Sequence, residues 1–174
     1  MFGLPRAMDV LSNLPFAVAG LAGWIVLLRT GLRAIGNVQR AMVATFFTGL
    51  LLTAAGSNWY HLAPDEAGLG IDRSAMAVAF AGLLGLAAAG RVSDRAGAGL
   101  GLAVLVLGPV AANSAMRSGN VLPWACLQFG GMLTVLLLTL KYPRYKAISV
   151  RWGAVVVAYA AAKLLEAGDS STFD

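Results

Sequence analysis

Residues 41–63 read AMVATFFTGLLLTAAGSNWYHLA, without a single Asp, Glu, Lys or Arg. A bilayer hydrocarbon core about 30 Å thick is crossed by roughly 20 apolar residues in helical form, so this stretch predicts a membrane helix. Working outward, five more stretches repeat the pattern: Val10 to Leu28, Ser74 to Gly90, Ala96 to Ala112, Pro123 to Leu140 and Trp152 to Leu165. The breaks between them, at 29–40, 64–73, 91–95, 113–120 and 141–151, are too short to fold separately. The chain therefore reads as all-α: one polytopic membrane helix bundle over residues 1–174 with six transmembrane helices.

Composition agrees. Only 12% of residues are charged and 59% are hydrophobic, where a soluble chain carries roughly 25% charge, so most of the outer face meets lipid. A net charge of +5 raises the question of nucleic acid, but the thirteen Lys and Arg sit between apolar runs rather than along a folded stripe, which excludes that partner. The single cysteine, Cys126, has no partner within the chain. Nine basic residues, from Arg29 to Arg151, fall after spans one, three and five, against Arg6, Arg73, Arg117 and Lys163 on the other side. The positive-inside rule then places the N-terminus on the non-cytoplasmic side, where seven of the eight acids also gather. Helix association in lipid uses close backbone approach, which accounts for Gly82, Gly85, Gly97, Gly101, Gly130 and Gly131. The 97–101 run GAGLG follows no strand and is no phosphate loop. The basic aromatic stretch 141–146, KYPRYK, suits an anchor at lipid headgroups.

One polar cluster resists these structural explanations. Ser57 and His61 are four apart, hence on one helix face about a turn from each other, and a hairpin of about ten residues returns Asp72 to the same depth. Hydroxyl, imidazole and carboxylate then converge just inside one interface, and ionisable groups at that depth face a bundle interior or a cavity. Singly, each has a plainer reading. Asp72 suits the N-cap of span three, residues 59–61 suit an aromatic belt, and the Ser57 hydroxyl suits a bond to the carbonyl one turn back.

The spacing of Ser57, His61, Asp72 and Arg73 resembles the second and third spans of the alkaline ceramidase family, within a larger group of seven-span membrane hydrolases. The 9–16 stretch DVLSNLPF, the 123–129 stretch PWACLQF, and the 163–166 stretch KLLE with Asp169 are similar to other parts of its bacterial members. The resemblance implies an intramembrane zinc amidase that cleaves the N-acyl amide of ceramide-like lipids with metal-activated water. It makes His61 a zinc ligand, Asp72 the base that orients the water, and Ser57 a hydrogen-bond donor beside that water or the oxyanion. In the family two more histidines, in an H-x-x-x-H pair on a seventh span, complete the zinc set. Here His61 is the only histidine, and Glu166 is a distant, weak substitute. The expectation is a C-terminally truncated chain; the alternative is a six-span, non-catalytic receptor or lipid-binding bundle. A transporter lacks its paired interrupted helices. Calcium is not expected, since Asp9, Ser12 and Asn13 offer too thin an oxygen set.

Overall fold

The computed structural model describes residues 11–30, 35–62, 64–144 and 148–170, the last six of these and 115–116 by backbone alone. Six helices follow one another: α1 (Leu14–Thr30), α2 (Asn37–Leu62), α3 (Glu66–Arg91), α4 (Asp94–Ser118), α5 (Leu122–Thr139) and α6 (Trp152–Ser170). No strand occurs among the described residues. Helices α2, α3, α4 and α5 are long and apolar enough to cross a membrane, and α1 and the 152–164 part of α6 are shorter apolar helices. The six apolar stretches of the sequence thus become six helices of one bundle.

Local chemistry sets the boundaries. Helix α2 stops two residues before Pro64, whose ring disfavours helical backbone in the residue preceding it. Asp65, in extended conformation, caps α3 by accepting from the Gly68 N–H (2.6 Å), with Glu66 in the positive first turn. The Ser93 hydroxyl oxygen caps α4 by accepting from Ala96 N–H (3.0 Å). At its far end Gly119 takes φ 67°, the left-handed turn that glycine adopts without steric cost. Pro123 lies in the first turn of α5, where no amide donor is lost. At α1 the Asn13 carbonyl accepts from Phe16 and Ala17.

Three expectations change. The third span begins at Glu66, well before Ser74, because Asp65 supplies the cap; Asp72 is inside the helix and not its N-cap. The predicted ten-residue hairpin shortens, since α2 ends at Leu62 and α3 begins at Glu66, and α3 itself carries Asp72 back past α2. Span four likewise runs on to Ser118, since Asn113 is absorbed within the helix by donating to the Pro109 carbonyl (2.7 Å) and the Ser74 hydroxyl (3.3 Å).

Helix α3 is the centre of the bundle, with Ala81, Leu84 and Ala87 to Gly90 buried. Its antiparallel partner α2 lies close enough that glycine is required at the crossings. A Cβ on Gly49 would sit 2.8 Å from Ala79 Cβ, and one on Gly82 would sit 2.6 Å from Phe46 Cα. Gly85 and Gly101 both make room for Met42, and Gly131 rests on Leu84, as the small-residue pattern predicted. Gly130 meets nothing and faces outward. Leu14, Val18, Leu21 and Leu28 of α1 are exposed, as a lipid-facing surface requires. Replacing Gly49 by Val should lower unfolding stability in detergent by about 2 kcal/mol, the order of an overpacked contact. Gly99→Ala, where nothing lies within 4 Å, should leave the same thermal or chaotrope midpoint unchanged or slightly raised.

Candidate functional site

The α2–α3 crossing determines what Asp72 meets. A Cβ on Gly56 would be 3.3 Å from Asp72 Cα, and one on Gly68 would be 3.4 Å from Tyr60 Cα, so the two helices run in close register up to their connecting turn. Gly56 thereby seats the Asp72 backbone against the turn that carries Ser57 and His61. The groups acting on the Asp72 carboxyl are the His61 ring and the Ser57 hydroxyl from α2, with its own neighbour Arg73. Ser57 is buried, while His61 and Asp72 are half-buried, and His61 Nδ1 is a buried atom. Asp72 Oδ1 is buried with no hydrogen-bond partner among the described residues. A carboxylate oxygen in such a place is costly unless something donates to it, so the pocket has acceptor capacity to spare.

The plainer readings sort themselves by face. Trp59 is 63% exposed and belongs to an outward aromatic surface, whereas His61 turns inward with its ring 5.5 Å from that of Tyr60. Near the cluster, the Thr53 hydroxyl donates to the Gly49 carbonyl (2.8 Å) and the Ser74 hydroxyl to the Gly70 carbonyl (2.6 Å), each one turn back, while the Ser57 hydroxyl acts on the Asp72 carboxyl. The three residues singled out from spacing are brought together.

Two further polar residues reach this end of the bundle and carried no strong sequence signal. Asn13, 5% exposed, donates its side-chain amide to Asn58 Oδ1 (3.1 Å), tying the start of α1 to the turn of α2 that holds Ser57. In the sequence Asn13 stands out only within the 9–16 stretch and as one of three oxygen donors too few for calcium. An asparagine next to Ser57 inside an apolar span was the available clue.

Below the cluster lies an apolar cavity of about 660 Å³. Its rim on this side includes Phe16, Thr53, Met76 and Lys163. Thr53 is one turn from Ser57 and Met76 one turn from Asp72, so the polar cluster stands on the same helix faces, about 5 Å above the rim. Phe46, Phe47, Phe80, Leu83 and Met132 form the walls, with Phe80 packed edge-on against Tyr159 of α6. Phe16 of α1 and Tyr159, Ala162 and Lys163 of α6 line the cavity, and among the described residues the two helices make no close backbone approach.

Zinc centres use at least three protein ligands. No three His, Cys, Asp or Glu side chains converge among the described residues, and His61 is the only histidine of the sequence. By themselves the described residues fall short of such a centre. Asp9 lies outside them, as do the side chains of Glu166 and Asp169.

Comparison with family models, curated proteins and solved structures finds no match to this chain. Interhelical hydrogen bonds in membrane bundles contribute about 0.6 kcal/mol on average. A double-mutant cycle of Asn13→Ala and Asn58→Ala, read by equilibrium unfolding in mixed micelles, should return a coupling of that order; additivity would mean that the Asn13–Asn58 bridge is not formed.

Proposed function

We propose that this protein is an intramembrane amidase acting on ceramide-like lipids. The observation that supports this reading is the placement of Ser57, His61 and Asp72 on the same inward helix faces as an apolar cavity, one turn beyond its rim. An amphiphile fits that arrangement, with its amide linkage at the polar cluster and its acyl chain below. It would enter sideways between α1 and α6 without leaving the membrane. On the orientation argued from the basic loops, the cluster faces the non-cytoplasmic leaflet.

The reaction is hydrolysis of the amide. Water adds to the carbonyl carbon, the C–N bond breaks, and a fatty acid and a sphingoid amine leave. Asp72 has a buried oxygen available to accept a proton from the attacking water and to return it to the nitrogen as the amine leaves. The Ser57 hydroxyl donates toward the carbonyl oxygen as negative charge builds there, where the surrounding low dielectric strengthens the bond. The His61 imidazole, the residue that the ceramidase likeness makes a metal ligand, stands on the same face, one turn from Ser57.

A second reading has its own support. The described residues supply no three-ligand metal group, which suits a lipid-binding bundle without turnover. Release of fatty acid from a ceramide-like amide by the purified protein separates the two. In the amidase reading His61→Ala and Asp72→Asn lower turnover by about 100-fold or more, with unfolding midpoints near that of the unsubstituted protein. Bound lipid with no fatty acid released, and no zinc on elemental analysis, selects the binding bundle.

A further inference from the structure

The cavity has a floor, and the chain builds it from a segment outside the helices. After α5, residues 140–144 lie against the ends of α3 and α4, and residues 148–151 lie against the start of α2. Arg144 fixes this return: its guanidinium donates to Asp94 Oδ1 (2.6 Å) and to the Ala89 carbonyl (2.8 Å), and its N–H donates to the Gly90 carbonyl (2.8 Å). The Arg91 guanidinium donates to the Lys141 carbonyl. The Ile148 N–H then donates to Oε1 of Gln39 (3.0 Å), a residue only 4% exposed. Ile148, Val150 and Trp152 close the cavity beside Leu86 and Val43. An amide side chain buried in the first turn of an apolar helix is costly unless paired, and its acceptor is spent on holding this segment in place.

We propose that this returned segment is a gauge for acyl-chain length, with Leu86 and Ile148 as the stop and Gln39 as the positioning residue that sets its depth. The inference rests on the lipid reading above and deepens it. From Asp72 to Leu86 the α3 axis rises about 21 Å. An extended hydrocarbon advances about 1.25 Å per bond, so roughly sixteen carbons reach from the polar cluster to the floor. Longer chains meet packed side chains, and shorter ones leave the floor uncovered.

The test uses the full chain in nanodiscs, equilibrated with N-acyl amides of one sphingoid base in graded acyl lengths, with retained lipid read by mass spectrometry. A matching series of fatty alcohols runs in parallel. Retention should fall about tenfold once the acyl chain passes the floor, the order expected of an overpacked contact. Leu86→Ala and Ile148→Ala should each move that limit outward by about two carbons, and Gln39→Leu should abolish it while the protein still binds the shorter amides. Equal retention at every length, or a limit that neither alanine variant moves, overturns the gauge. The two claims fail separately. A shared limit for alcohols and amides keeps the gauge and removes the amide reading; a preference for amides over alcohols at every length, with no limit, keeps the amide reading and removes the gauge.

Discussion

The close approach of α2 and α3 is the constraint on which everything else depends. Lipid tails are as apolar as leucine, so two helices in a membrane gain little from burial and are held by contact. Glycine at Gly49 and Gly82 lets the backbones meet where any side chain would collide, and at Gly56 a Cβ would sit tightly against Asp72. That contact sets the antiparallel register. Once it is set, Asp72 has no choice of neighbours: it falls against Gly56 and beside Ser57 and His61.

Register also explains how a polar cluster and an apolar cavity share one wall. On each helix the inward face continues from one to the other: Thr53 leads to Ser57 and His61 on α2, and Met76 leads back to Asp72 on α3. The change from apolar to polar takes a single turn. A lipid has the same division along its length, with a polar linkage next to a hydrocarbon chain. The correspondence calls for lateral entry, and among the described residues α1 and α6 make no close backbone approach that would bar it.

Much of this was readable from residue order. Six apolar runs of near-membrane length specify six helices, and the four-residue spacing of Ser57 and His61 places them on one face. The glycines marked as packing sites mostly are, Gly130 being the exception on an outward face. Span edges are less readable, because a charged residue resembles a loop residue in a chain this apolar. Asp72 and Arg73 lie inside α3 since Asp65 had already supplied the cap, and the helix can turn Asp72 toward a polar pocket. The floor could not be foreseen at all. Gln39 falls among the charged residues of a break, and its partner Ile148 is 109 positions away; no local pattern announces such a pairing.

The central claim is that an amide-bearing lipid places its linkage between α2 and α3. A ceramide analogue with a photoreactive diazirine on the carbon next to the amide carbonyl tests it in the intact protein in a bilayer. Labelled peptides mapped by mass spectrometry should carry the adduct at or beside Ser57, His61 and Asp72, with labelling competed by unmodified lipid amide. Adducts confined to the outward residues Trp59 and Ile71, or labelling that excess lipid amide does not reduce, would contradict it.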